Sequence, residues 1–288
     1  MDNEIKPELD RLISGEDTIA SLPDLYYDFK RAVDDPESTF DEIGEVISRD
    51  PGLSARLLKL VNSAFYGFTE KIETISHAVN SVGLNQLSDL VLSTVIIDKF
   101  RNIPVQLISM RSYWEHSIAT GLAAKHLAGL LGESDRERYF LAGLLHDIGR
   151  PFLCVKKPDQ MKQAIMLSLS KSLDVTWAET RALGFDHCEA GSLLLKKWNL
   201  PEIYRAVTRF HHEPSRSASF AMEVNLVHLA DSIVSTGMHG CNGEPLLLPV
   251  SESAFELTGL EKSETETEVH SFLGKQFNEV AQPLLQVA

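Results

Sequence analysis

The stretch LAGLLHDIGR, residues 141–150, sets an imidazole beside a carboxylate at His146 and Asp147. At the frayed end of a helix two such neighbours can bind one metal ion. Five further donors follow the same order along the chain. His116 lies upstream, and His187, His211, His212 and Asp231 lie downstream, so that seven nitrogen and oxygen donors fall within 116 residues. Zinc, iron, manganese and nickel accept imidazole, while carboxylate favours the harder ions. Five histidines and two aspartates, with no cysteine among them, point away from a thiolate-rich structural zinc site. They suit a catalytic or regulatory centre of one or two divalent transition-metal ions. Two ions about 3.5–4 Å apart need a bridging carboxylate, and Asp147 is the natural bridge. His116, His146 and Asp231 would then complete one ion, and His187, His211 and His212 the other.

Each residue also has a plainer reading. His211 and His212 close a helix before Glu213-Pro214, where imidazolium favours the negative helix end. Asp186, just before His187, reads as a simple N-cap. His116 follows Trp114, which can pack in a core. Asp231 sits among Leu226, Leu229 and Ile233, and a carboxylate on a buried face needs a partner. His228, one turn before Asp231, either supports a ligand or is merely buried, and His126, His77, His239 and His270 have no supporting donors nearby. For hydrolysis the metal would bring bound water toward a pKa of ~7 and hold a phosphate oxygen. Asp147 and Arg150 are then the catalytic candidates, although Arg150 could equally cap a helix C-terminus. Lys156 and Lys157 are weaker candidates. The chain has no Walker loop, no GxGxxG turn and no GxSxG elbow.

Helical periodicity must position these residues. Leu25, Phe29 and Val33 give one apolar face, and a short helix over residues 42–47 stops before Asp50-Pro51. There Asp50 can cap and Pro51 can start the next helix, whose face is Leu53, Leu57, Leu60 and Val61. Thr74 caps a helix ending at Gly83, and an apolar helix opens at Asn85. A break around residues 104–109, with Pro104, separates a helix over residues 112–131. The turn 132–135 caps the next helix, which runs to His146 and is ended by Gly149 and Pro151. Helices follow over 158–171, 176–183, 187–198, 201–212 and 219–235. Residues 237–248 read as a loop and 251–288 as an acidic tail with one or two helices. The expectation is an all-α chain in three parts: an N-terminal bundle (1–105), a metal-binding helical part (106–235), and a loop with a helical tail (236–288).

Apolar residues at 43% and charged residues at 24% fit a globular protein. With 41 acidic against 27 basic residues the formal charge is −14, which works against a broad nucleic-acid surface. Cys154, Cys188 and Cys241 make no CxxC pair and fit a reducing, cytoplasmic setting. The acidic start MDNEIKPELD lacks a signal-peptide h-region, and no apolar run approaches the ~20 residues of a membrane span.

The blocks SRDPGLSARLLKLVNSAFYGF (48–68) and ETISHAVNSVGLNQLSDLVLSTVI (73–96), with Leu22-Pro23 upstream, resemble the HDOD domain, the HD-related output domain of bacterial signalling proteins. The resemblance covers residues 18–235. It implies an N-terminal helical bundle packed on an HD-like helical core, and action as a signalling module that binds a partner protein. Many HDOD domains lack the metal ligands of HD phosphohydrolases. Here His116, His146, Asp147, His187, His211, His212 and Asp231 match the ligand pattern of HD-GYP cyclic-dinucleotide phosphodiesterases. PSRSASF follows Glu213 in place of a Gly-Tyr-Pro loop, and Arg150 stands where those enzymes usually carry lysine. The resemblance therefore implies a signalling module with a retained metal site. Its alternative is a metal-dependent phosphohydrolase acting on a nucleotide or cyclic dinucleotide.

Overall fold

The computed structural model of the chain describes residues 6–15, 18–63, 65–101, 107–237 and 250–285. Among them every regular element is helical, as expected. In chain order these are α1 (Lys6–Ser14), α2 (Asp24–Asp34), α3 (Phe40–Ser48), α4 (Pro51–Val61), α5 (Ile75–Val82) and α6 (Leu84–Arg101). Then come α7 (Met110–Leu130), α8 (Glu137–Leu145), α9 (Gly149–Lys156), α10 (Pro158–Lys171) and α11 (Val175–Leu183). Last are α12 (His187–Lys197), α13 (Glu202–Phe210), α14 (Ala221–Ser235), α15 (Glu252–Thr258) and α16 (Lys262–Leu285). The helices divide into two compact units. The larger takes the residues up to Ser21 and Asn102–Leu273, and the smaller takes Leu22–Arg101 and Gly274–Ala288. Pro104, His239, Cys241 and most of the loop expected over 237–248 lie outside the described residues. No described helix is long and apolar enough to cross a membrane.

Local chemistry sets the helix starts of the smaller unit. Thr39 and Glu42 form a reciprocal capping box at α3. The Asp50 carboxylate accepts from Leu53 N ahead of Pro51, and Thr74 accepts from His77 N at α5. Gly83, at φ 94°, turns the chain from α5 into α6. Asn62 clamps the intervening loop: its amide donates to Ile72 O at 2.7 Å and its oxygen accepts from Ile72 N at 2.8 Å. Phe29, Ile47, Leu57, Val61, Leu87 and Ile96 are buried at the centre of this unit.

The larger unit is built on close helix crossings. At the α7–α8 crossing, a Cβ added to Gly143 would lie 2.7 Å from the Gly121 Cα, and one added to Gly121 would lie 2.5 Å from Phe140 O. At the α9–α12 crossing, a Cβ on Gly149 would come 2.0 Å from His187 O and 2.7 Å from Gly191 N. Only glycine lets the backbones approach this far. Helix α1 packs on α12; Lys197 Nζ donates to Ile13 O at 2.6 Å and Trp198 Nε1 to Ala20 O at 3.2 Å.

Two local expectations are corrected. Residues 132–135 supply no cap to α8: the residue before it is Arg136, which makes no side-chain capping bond. Gly149 and Pro151 do not end a helix but open α9. A first-turn N–H has no intrahelical partner in any case, so proline costs little there. Arg150 N donates to Asp147 O at 2.9 Å across the turn that joins α8 to α9. Arg150 therefore sits at a helix start, fully buried, and is not a C-terminal cap.

Candidate metal centre

The seven expected donors come from five segments of the larger unit. His116 projects from α7, His146 and Asp147 from the α8–α9 turn, His187 from the first position of α12, His211 and His212 from the end of α13, and Asp231 from α14. The fold brings all of them together. His116 Nε2 lies 3.0 Å from Asp231 Oδ1, and His146 Nε2 lies 3.7 Å from the same oxygen and 3.5 Å from Asp147 Oδ2. Asp147 Oδ1 faces His187 Nε2 at 3.1 Å and His211 Nε2 at 3.3 Å. His187 Nε2 and His212 Nε2 are 3.1 Å apart. Asp147 thus stands between two donor groups, one with His116, His146 and Asp231 and one with His187, His211 and His212. His77 is exposed, and His126 instead pairs with Glu268 and stacks on Phe272.

The far nitrogen of three rings fixes the tautomer. His146 Nδ1 donates to Gly143 O at 2.6 Å, His211 Nδ1 to Thr208 O at 3.0 Å, and His187 Nδ1 to Glu179 Oε2 at 2.6 Å. Two of these acceptors are carbonyls three residues back at a helix C-terminus, where the last carbonyls lack helical partners. With the proton on Nδ1, the neutral form of each ring presents its Nε2 lone pair toward Asp147. His146 Nε2 and His211 Nε2 are buried with no hydrogen-bond partner among the described residues. Acceptors facing acceptors at 3.1–3.5 Å need a shared proton or a cation between them. The donor set therefore fits a divalent metal ion, because metal-binding imidazoles are held from behind in this way.

The electrostatics of the protein groups alone show the same demand for positive charge. Burial pushes the Asp147 carboxyl up, yet His146 and His187 beside it hold it well below the usual carboxylate range. Asp231 is likewise lowered against burial, chiefly by the His116 hydrogen bond. Burial pulls His187 down, but Cys188, Glu179 and Asp147 raise it well above an ordinary imidazole. Burial and the neighbouring His212 bring His211 down to about 4.

The plain readings and the ligand geometry coexist. His211 is the C-cap residue of α13, Asp186 caps α12 through Glu189 N, and Trp114 is fully buried. His228 supports from behind: its Nδ1 donates to His211 O at 2.7 Å and its Nε2 accepts from Ser251 N at 3.0 Å. The sequence reading missed two residues. Glu179, fully buried, holds both the ring and the backbone N of His187; only an acidic residue on an otherwise apolar helix face hinted at it. Cys188 places its Sγ 3.4 Å from His187 Nε2.

Two outcomes follow. Glu179→Gln keeps the shape but loses the anionic acceptor, and metal affinity measured by calorimetric titration should fall by about 10- to 100-fold. His211 stays neutral down to about pH 4 in the folded chain, whereas a free imidazole titrates near ~6.5. Between those limits the unfolded chain binds the extra proton, so stability rises with pH. Denaturant midpoints of metal-free protein should decline from pH 6.5 toward 4, and His211→Gln should flatten that segment.

The family model of the HDOD domain matches residues 19–214. An uncharacterised protein of Treponema pallidum (strain Nichols) is 30% identical over 197 residues, 68% of this chain and 38% of that protein, so the chain spans little over a third of that relative's length. An HDOD domain protein of unknown function from Geobacter sulfurreducens shares the fold, at 24% identity and TM-score 0.77, over 99% of this chain and 100% of that one. A candidate metal-dependent phosphohydrolase from Shewanella amazonensis SB2B does so at 18% identity and TM-score 0.70, over 97% of each chain.

Proposed function

The chain belongs to the HDOD family of HD-like signalling modules, and from that premise we propose that it acts by binding a partner protein, with a retained HD-type metal centre setting the geometry of its helices. His116, His146 and Asp231 would hold one ion, His187, His211 and His212 a second, and Asp147 would be shared. Iron, manganese, nickel and zinc are the candidates by donor chemistry.

The observation that carries this reading is closure. His116, His146, Asp147, His187 and His211 are each no more than 1% exposed. Structural centres close their shell, whereas catalytic ones keep a position open to substrate. Binding energy at such a site is folding energy, so loading would fix α7, α12, α13, α14 and the α8–α9 turn in one arrangement. Surfaces carried by those helices would then differ between loaded and metal-free protein, which is what a partner would read.

A second reading is supported by the complete donor set and by His212, the half-buried member of the cluster. It is a phosphohydrolase or phosphodiesterase acting on a nucleotide or cyclic dinucleotide. A bound ion would supply Lewis acidity toward a phosphate oxygen or water. Asp147 would orient the attacking water and Arg150 would meet the phosphate, a role that full burial of Arg150 disfavours.

The test combines metal analysis of protein purified without chelator with a panel of nucleotides and phosphodiesters, cyclic di-GMP among them, in Mn²⁺ or Fe²⁺. One or two ions per chain and a flat panel are expected. Turnover abolished by Asp147→Ala would establish the hydrolase instead. Absence of bound metal would refute both readings.

A further inference from the structure

Resting on the metal centre proposed above, we infer that Cys188 is a fourth donor to the group formed by His187, His211 and His212, and that the centre takes a thiolate-accepting ion there. The thiol is fully inside the larger unit, 2% exposed. Its Sγ lies 3.4 Å from His187 Nε2, the nitrogen that faces Asp147, and 4.0 Å from His211 Nδ1, the nitrogen bonded to Thr208 O. All four residues offer donor atoms within 4.8 Å of one another. A sulfur at ~2.3 Å and an imidazole nitrogen at ~2.0–2.1 Å from one tetrahedral ion would be about 3.6 Å apart, so the 3.4 Å thiol–imidazole hydrogen bond already holds the two atoms at a separation that fits a shared ion. The independent sign of an ion in this group is His211 Nε2, which is buried, unpartnered among the described residues and set at 3.3 Å from Asp147 Oδ1, the same oxygen that His187 Nε2 faces at 3.1 Å. Adjacent residues on a helix normally point about 100° apart. His187 and Cys188 converge because they open α12, where Glu179 draws the His187 ring inward by its Nδ1 and its backbone N together.

Ligation takes the thiolate, and the thiol proton leaves to bulk water as the sulfur–metal bond forms. The consequence is selectivity. One sulfur donor among imidazoles favours zinc, iron(II), cobalt(II) or nickel over magnesium or manganese.

Cobalt(II) is the probe, because thiolate bound to cobalt gives an intense near-ultraviolet charge-transfer band that imidazole and carboxylate do not. The full chain is stripped of metal, loaded with cobalt, and its cobalt content is measured beside its absorption spectrum. The expected result is bound cobalt with the band present, the band lost in Cys188→Ser, and the band kept in Cys154→Ser, whose thiol lies on α9. Bound cobalt without the band in the unaltered protein would overturn the assignment and leave the imidazole–carboxylate centre standing. A band that survives in folded Cys188→Ser, checked by circular dichroism, would overturn it as well. Failure to bind cobalt at all would refute the metal centre, and the thiol ligand with it.

Discussion

Asp147→Ala should strip the protein of bound metal and lower the melting temperature of its larger unit by about 10 °C. Asp147 faces three imidazoles and is wholly buried. Removing one partner of a buried charged cluster costs about 3–5 kcal/mol. Losing an ion present at a thousand times its dissociation constant removes about 4 kcal/mol more. For a unit of this size each kcal/mol shifts the midpoint by about 2–4 °C, so 10 °C is a conservative figure. Asp147→Asn separates the two contributions, since it keeps the volume and one oxygen but loses the charge. It should also lose the metal while unfolding at a higher temperature than the alanine variant. Metal analysis and calorimetry on the three proteins check this. Full metal occupancy in Asp147→Ala would remove Asp147 from the centre.

Gly149→Ala should also be strongly destabilising although it adds one methyl group and touches no donor side chain. The new Cβ would sit 2.0 Å from the carbonyl of His187 and 2.7 Å from Gly191 N, both backbone atoms that cannot swing aside. Relief requires α9 and α12 to separate. Overpacking ordinarily costs about 1–3 kcal/mol and sometimes more, and a clash against backbone belongs at or above the top of that range. Because His187 opens α12, the displacement also moves its ring away from Asp147, so metal affinity should fall along with stability. Gly274→Ala is the internal comparison. It lies within α16 with open space around it, and alanine there should stabilise by about 0.5–1 kcal/mol. Denaturant midpoints of the two variants should move in opposite directions.

Much of the fold could be read from local chemistry. Asp50-Pro51 and Thr74 announced α4 and α5, and both cap as expected. Gly149 and Pro151 misled because the same residue types both stop and start helices. What decides is the approach of α12 to Gly149, a tertiary contact with no local signature. The gathering of His116, His146, Asp147, His187, His211, His212 and Asp231 was legible because a buried carboxylate or imidazole is costly without partners, and seven in order along helices imply one another. Cys188 and Glu179 were not legible. A cysteine beside a histidine would ordinarily face elsewhere, and an acidic residue eight positions earlier carries no spacing signal. Both acquire meaning only when the start of α12 turns His187 inward. A helix-end histidine can cap a helix and still leave a ring nitrogen on offer. His211 closes α13 while its Nε2 remains free of any hydrogen bond among the described residues.

His116 and Asp231 meet across 115 residues of chain. During synthesis at about 5–20 residues per second, α14 emerges on the order of ten seconds after α7. For most of that interval His146 and Asp147 are already made, but the cage around them lacks its last wall. If the proposed centre forms, a nascent chain would hold its ion only loosely until Asp231 arrives. Firm loading of the proposed centre would await α14, and a fragment ending before residue 231 would carry an open cage and a bare apolar flank on α7.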